Sequence, residues 1–250
     1  MMTNQSKRTV LVLPTYNEIE NLESFVSAVH AAAPAMQILI VDDDSPDGTG
    51  ELAARLAQKS DLVEVLHRHG KRGLGSAYRA GFARVIDQSF SAIMTMDADF
   101  SHDPALIPKF LAEIGGGADV VIGSRYIPGG AIKGWPVYRT ILSKWGNVYT
   151  RAILRLEPHD CTSGYRAYSA SALKTINPAD EHGEGYVSLT AFIRRAQQSQ
   201  LKVVEVPIIF TNRTLGTSKM SWRIALESIW LVTLLGVRDT TTRIRRRGPF

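Results

Sequence analysis

The chain predicts an α/β fold: a Rossmann-like, mostly parallel central sheet with helices on both faces. Three observations carry this expectation. Short continuous apolar runs recur along the first half, as strands buried on both faces require. Stretches with helical spacing separate them, which is the alternation of βαβ units. The residues that follow three of these runs are rich in carboxylates, so charge gathers where strands end.

In order, Val10–Pro14 reads as the first strand, with Thr15-Tyr-Asn-Glu18 at its carboxyl end. Ile19, Leu22, Phe25, Val26 and Val29 then recur at helical spacing, with Asn17 or Glu18 where a cap or first-turn acid belongs. Ile38–Val41 is the second strand and runs straight into Asp42-Asp43-Asp44-Ser45-Pro46-Asp47. Three adjacent carboxylates repel one another unless a ligand or amides absorb the charge, which favours a functional loop over a plain turn. A helix from Thr49 to about Gln58 leads to the strand Val63–Leu66. The loop His67–Gly75 mixes basic groups with glycines and could cradle a phosphate, although its spacing fits neither a P-loop nor a dinucleotide fingerprint. Ala77, Ala80, Gly81 and Ala83 give the next helix a small face for close packing. Ala92–Met96 is a buried strand, and Asp97 and Asp99 follow it.

Side chains at i and i+2 of an extended backbone point to one side, so Asp97 and Asp99 can reach one point in space. Two hard oxygen ligands at a strand end suit Mg²⁺ or Mn²⁺ holding a diphosphate. Right-handed crossovers place the loops Thr15–Glu18, Asp42–Asp47 and Asp97–Asp99 along one sheet edge. Like charges gathered there are hard to explain by folding alone.

Past the helix Pro104–Ile114 comes a strand, Asp119–Arg125, that ends in a basic residue. Tyr126–Trp135, rich in glycine and aromatics, reads as a lid or acceptor loop. Val137–Leu156 resumes helical spacing and sets Arg139 and Ser143 on one face, where they could hold a phosphate; a solvated basic face is the plainer alternative. Asp160–Arg166 is a polar turn, Ser171–Thr175 a short helix, Val187–Ala196 a longer one. Val203–Phe210 reads as a single strand whose Pro207 favours an edge position. Arg213 and Lys219 flank Gly216 beyond it.

The 250 residues, 44% hydrophobic, suffice for a sizeable core and exclude a largely disordered chain. The single cysteine, Cys161, and an N-terminus without an apolar leader favour a cytoplasmic, reducing setting. The net charge of +5 is concentrated toward Arg243, Arg245, Arg246 and Arg247, beside the apolar stretch Ile224–Val237. No aromatics alternate with these cations, so nucleic acid is not the expected partner. The apolar stretch is too short to cross a bilayer; it could lie on an anionic leaflet or be an ordinary C-terminal helix with a disordered basic end.

Taken together, the motifs LPTYNE (Leu13–Glu18), VDDDSPDGT (Val41–Thr49), GLGSAY (Gly73–Tyr78), MDADFSHDP (Met96–Pro104), GSRY (Gly123–Tyr126), RTILSKWGN (Arg139–Asn147), TSGYRAY (Thr162–Tyr168), EVPIIF with Arg213, and SKM (Ser218–Met220) resemble the polyprenol-phosphate mannose synthases, also called dolichol-phosphate mannosyltransferases. These are inverting glycosyltransferases of the A-type fold. The resemblance covers Val10 to about Ser221, and implies a catalytic domain over 1–221 with a C-terminal amphipathic helix and basic tail over 222–250. It implies that Pro14, Tyr16, Glu18, Val41 and Asp43 hold the nucleotide, and that Asp97, Ala98 and Asp99 hold the diphosphate. Asp97, Asp99 and Ser101 would ligate the metal. Arg125, Arg139 and Ser143 would bind the lipid phosphate, and Arg213 and Lys219 would close over both phosphates.

The implied reaction is GDP-mannose plus a polyprenyl or dolichyl phosphate, giving the β-linked mannosyl lipid and GDP. A polyprenyl-phosphate glucose synthase using UDP-glucose is the nearest alternative, and a non-catalytic nucleotide-sugar-binding module a more distant one. Work on a lipid acceptor implies a peripheral position at the cytoplasmic face of a membrane, with or without a membrane-anchoring partner protein. Two departures from the family pattern stand out: Asp44 replaces a usual Gly or Asn, and Ala191 replaces a usual Glu. A phosphate monoester arrives largely ionised, with a second pKa of about 6. The reaction then needs no general base, and His67, His69 and His102 are expected to be surface or structural residues.

Overall fold

The computed structural model describes residues 8–70, 73–181, 185–212 and 229–237. The expected alternation is present: β1 (Thr9–Thr15), α1 (Leu22–Ala32), β2 (Gln37–Asp42), α2 (Thr49–Lys59), β3 (Val63–His67), α3 (Leu74–Val85), β4 (Ala92–Thr95), α4 (Ile107–Gly115) and β5 (Val120–Ser124). Next come β6 (Ala131–Lys133), α5 (Val137–Leu154), β7 (Arg166–Ser169), α6 (Ala170–Ile176), α7 (Gly185–Gln198), β8 (Val203–Pro207) and β9 (Ile209–Thr211). Seven strands form one sheet in the order β3-β2-β1-β4-β7-β5-β8. All its pairings are parallel except those of β7, which runs antiparallel between β4 and β5.

Strand periodicity divides the core. Val10 and Val12 of β1 face a cluster built with Tyr78 and Phe82 of α3 and Phe192 of α7; Leu11 and Leu13 face Phe25 of α1 and Phe110 of α4. Helices therefore cover both faces, as the unbroken apolar strands require. Gly81 is what seats α3: a Cβ there would stand 2.3 Å from Val12 Cγ1 and 3.2 Å from Val41 Cγ2.

Four expectations are corrected. Val203–Phe210 is two strands, because the chain leaves the main sheet after Pro207 and Ile209–Thr211 pairs instead with β6. Pro207 does sit on an edge strand, as expected of a residue without an amide donor. The loop Tyr126–Trp135 is ordered in part as β6. The first helix begins at Leu22 rather than Ile19, since the Glu18 carbonyl already accepts the amides of Asn21 and Leu22 in a preceding turn. The helix expected from Pro104 opens with a 3₁₀ turn, and Asp103 caps it by accepting the Ala105 amide.

The described part of the C-terminal stretch, residues 229–237, is helical and packs on α5. Val232 joins the core cluster of Leu154 and Leu156, the Tyr149 and Thr233 hydroxyls are 2.7 Å apart, and Gly236 lies against Ile153. Arg243, Arg245, Arg246 and Arg247 fall outside the described residues, as do Arg213 and Lys219.

Candidate active site

Because β1, β2 and β4 are adjacent and parallel, the loops after them meet at one sheet edge. Two are knitted together. Asp42 accepts the hydroxyls of Thr15 at 3.0 Å and Ser45 at 2.6 Å, and Ser45 Oγ accepts the Asn17 amide. Asp47 accepts the amides of Ile19 and Thr49 and the Thr49 hydroxyl, while that hydroxyl accepts the Glu18 amide. Burial pushes the Asp47 carboxyl up, but these bonds outweigh it and hold it below the usual range. Glu18 is buried and accepts from the Asn21 side chain.

The protein itself supplies partners to the triple carboxylate, one cation and several neutral donors. Asp43 receives Arg68 Nη1 at 2.6 Å and the Gly73 amide at 3.1 Å; Asp44 receives the Gly70 amide. Arg68 is engaged with Asp43 and Ser76, so this cation of the expected phosphate cradle faces a carboxylate instead. Asp44 has φ 58°, the left-handed region. Gly or Asn reaches that conformation at lower cost, which gives a physical reason for the usual residue here and leaves the departure to Asp unexplained. Pro14 and Tyr16 are half-buried, whereas Val41 lies wholly in the core against α3.

After β4, Asp97 remains one-third exposed while Ala98 and Asp99 are buried. Asp99 Oδ1 accepts the Ser101 amide in a tight turn. The Ser101 hydroxyl is buried without a hydrogen-bond partner among the described residues, an arrangement that costs free energy unless something else bonds to it. Two carboxylates and an unsatisfied hydroxyl form a hard oxygen set that fits Mg²⁺ or Mn²⁺. No group of three or more His, Cys, Asp or Glu placed to hold a metal ion occurs among the described residues, so water and diphosphate oxygens would complete such a shell. His102 is fully buried between Tyr165 and Phe210, and its Nδ1 accepts the Asp97 amide. Burial drives its pKa down to about 4, so the ring is neutral near pH 7 and holds the loop rather than exchanging protons.

Arg125 leaves β5 at the same edge. Asp160, fully buried, grips it through Nε at 2.6 Å and Nη2 at 2.7 Å, and Nη2 also donates to Thr162. On α5, Ser143 lies 2.7 Å from the Tyr126 hydroxyl, and Arg139 stacks 4.0 Å above Trp135. These groups form a continuous assembly with the carboxylate loop. Phe210 packs on His102 and Trp135 and carries the Arg125 guanidinium at 5.5 Å, while the Thr211 amide donates to the Ser101 carbonyl. The long split between Asp97–Ser101 and Arg125–Ser143 in sequence is thus closed by one aromatic ring.

Several of these residues carry no individual sequence signal. Asp160 lies in a turn that reads only as polar; Thr162 and Phe210 fall within the motifs TSGYRAY and EVPIIF without a role of their own, and Trp135 reads as a loop aromatic. Gly164 is another: the Thr95 hydroxyl donates to its carbonyl, and a Cβ on it would stand 3.2 Å from Asp97 Oδ1. Ala191 is buried in α7, so the carboxylate it replaces would also be internal.

Among the described residues, one face of α5 is exposed. Val137, Tyr138, Ile141, Leu142, Trp145 and Val148 are exposed, the first at 75% and the last at 54%, and Trp230, Leu234 and Val237 of the 229–237 helix are exposed as well. Among the described residues no helix is long and apolar enough to cross a membrane.

A model of glycosyl transferase family 2 matches residues 10–176. The polyprenol monophosphomannose synthase of Mycolicibacterium smegmatis is 45% identical over 241 residues, covering 96% of this chain and 91% of its own length. The undecaprenyl-phosphate mannosyltransferase of Micrococcus luteus is 41% identical over 240 residues, covering 96% and 98%. Among solved structures, glucosyl-3-phosphoglycerate synthase from Mycobacterium tuberculosis, in complex with Mn²⁺, uridine-diphosphate-glucose and phosphoglyceric acid, aligns with a TM-score of 0.66. Its identity is 16%, over 92% of this chain and 80% of that one, so the likeness is one of fold.

Proposed function

The chain belongs to glycosyl transferase family 2, and from that premise we propose that it transfers mannose from GDP-mannose to a polyprenyl monophosphate with inversion. The products are the polyprenyl-phosphate β-mannose and GDP. The observation that carries this reading is the junction at Phe210, which joins the Asp97–Ser101 loop to Arg125 and the Arg139–Ser143 face of α5. On this reading a diphosphate site and a phosphate site would lie side by side on one body.

Pro14, Tyr16, Glu18, Val41 and Asp43 would line the nucleotide end, Val41 through its main chain because its side chain is core. Asp97, Asp99 and Ser101 would hold Mg²⁺ or Mn²⁺ against the diphosphate, with Ala98 between them. When bound, the cation supplies charge neutralisation for the leaving diphosphate. Arg139 and Ser143 would bind and align the acceptor phosphate, with Arg125 behind them. Arg213 and Lys219, outside the described residues, would contribute cations to both phosphates. The acceptor oxygen is anionic on arrival and attacks the anomeric carbon as the carbon–diphosphate oxygen bond breaks, so one in-line displacement converts an α-linked donor to a β-linked product. A neutral, buried His102 accords with a reaction that needs no base.

The uncovered face of α5 suits the surface of an anionic bilayer. It is continuous with Arg139 and Ser143, it carries Lys144, and the chain has an excess of five positive charges. A lipid-linked phosphate would then reach Arg139 without leaving the membrane surface. The deciding experiment is a transfer assay with polyprenyl phosphates in liposomes and either GDP-mannose or UDP-glucose as donor. Mannosyl lipid from GDP-mannose alone is expected; transfer from UDP-glucose alone would overturn the assignment.

A further inference from the structure

The turn Asp160–Tyr165 has no part in the roles above, yet it holds more buried polar contacts than a connection requires. Asp160 accepts both forks of Arg125, and also the amides of Arg125 at 3.1 Å and Ser163 at 3.1 Å. Burial would raise its carboxyl pKa, but the Arg125 charge and these bonds prevail and keep it ionised well below the usual range. Thr162 continues the chain of contacts. Its hydroxyl oxygen accepts Arg125 Nη2 at 2.7 Å and Asn147 Nδ2 at 3.1 Å, and its proton points to Asp160 Oδ1 at 3.3 Å, so all three of its hydrogen-bonding positions are occupied. Asn147 in turn donates to the Ser143 carbonyl and accepts the Cys161 amide. From outside, Glu205 of β8 receives the amides of His159 and Asp160 on its two oxygens.

This connectivity spans the two halves of the acceptor site. Arg125 sits at the end of β5 and Ser143 on α5, with no covalent reason to hold a fixed separation. Asp160 locks the plane of the guanidinium, because a bidentate carboxylate fixes the fork in both position and tilt. Thr162 and Asn147 relay that position to the backbone of Ser143. We infer that Asp160, acting with Thr162, is the positioning residue of the acceptor site, setting Arg125 and Ser143 at the separation a lipid phosphate monoester requires. The inference rests on the acceptor reading given above.

A carboxylate here has a second consequence. It cancels the Arg125 charge, so the site offers the phosphate oriented donors rather than an unbalanced cation. Loss of Asp160 therefore loosens geometry first, and the loss appears in acceptor affinity.

The test compares Arg125→Ala, Asp160→Asn, Thr162→Val and Thr162→Ser in steady-state transfer with a polyprenyl phosphate, alongside GDP binding by calorimetry. Hydrogen bonds to charged groups are worth ~1.5–3 kcal/mol, so Asp160→Asn should raise the acceptor KM about 10-fold or more, with GDP affinity within about twofold of wild type. Thr162→Val, which removes the relay without stranding a charge, should raise it about 3-fold or more, and Thr162→Ser should restore it. If Arg125→Ala raises the acceptor KM while Asp160→Asn and Thr162→Val do not, the positioning role is refuted and the acceptor reading stands. If Arg125→Ala also has no effect on that KM, both fall. Equal loss of donor and acceptor binding in Asp160→Asn and Thr162→Val would reduce the turn to a folding element and overturn the inference.

Discussion

The exposed stripe of α5 yields a quantitative prediction. Replacing Ile141 and Val148, one stripe apart by two helical turns, with serine removes two side chains that are 64% and 54% exposed. Fully burying such a side chain is worth ~1.5–3 kcal/mol, so covering the exposed half of each contributes about 1 kcal/mol, or about 2 kcal/mol for the pair. At ~1.4 kcal/mol per decade, partition onto vesicles should fall roughly 30-fold. Neither residue contributes to the core, so the unfolding midpoint should hardly move. The assay is co-sedimentation with liposomes containing a third phosphatidylglycerol, repeated with neutral liposomes to isolate the charge contribution. Transfer to a short-chain, water-soluble prenyl phosphate should remain within about twofold of wild type, since the reacting groups are untouched. Unchanged partition would refute the assignment of this face to the membrane, and loss of soluble-acceptor activity would show that the face shapes the site instead.

Four other outcomes are expected. Asp99→Ala should lower transfer at least about 100-fold and weaken metal-dependent GDP binding; retained activity after chelation and metal replenishment would remove Asp99 from the site. Arg139→Ala should raise the lipid-phosphate KM about 10-fold with GDP affinity nearly intact, and a collapse of donor binding would contradict its place on the acceptor face. Gly81→Ala gains about 1 kcal/mol of helix propensity, but a Cβ at 2.3 Å from Val12 overpacks the sheet, so a net loss of about 1–2 kcal/mol and a melting point lower by roughly 2–8 °C should follow. An unchanged melting point would mean that α3 can retreat without cost. Finally, the unfolded chain protonates its His102 near pH 6.5 and the folded chain only near about 4, so stability from this residue is full above that window and lost as pH falls through it. Urea unfolding should show a loss of about 2 kcal/mol between pH of about 7 and about 5, and His102→Gln should lack that slope; parallel profiles would contradict the buried, neutral ring.

The strands were legible because a sheet covered on both faces demands unbroken apolar runs, and Val10–Pro14, Ile38–Val41 and Ala92–Met96 have no other economical reading. The convergence of their loops followed from the handedness of crossovers. Pairings over long separations were hidden. Nothing local ties Arg125 to Asp160, 35 positions on, or Arg68 to Asp43, 25 positions back, yet those partners decide how much charge each site residue presents. The break at Ile208 was hidden for a related reason: an alternating strand looks the same whether it keeps one neighbour or changes sheets. On α5 the spacing shows that an apolar stripe exists and is silent on whether protein covers it.

The antiparallel strand β7 has one more consequence. In a parallel sheet only the exits of strands reach the active edge, so every contributing loop leads away from the core. Because β7 runs backwards, its entrance lies at that edge, and the turn Asp160–Tyr165 arrives there at the end of α5 rather than at the start of a new helix. The helix proposed to face the lipid and the turn whose Gly164 lies beside Asp97 are therefore consecutive parts of one chain path. In the proposed reaction a shift of α5 on its substrate would therefore have a direct covalent route, through residues 155–163, to the donor side.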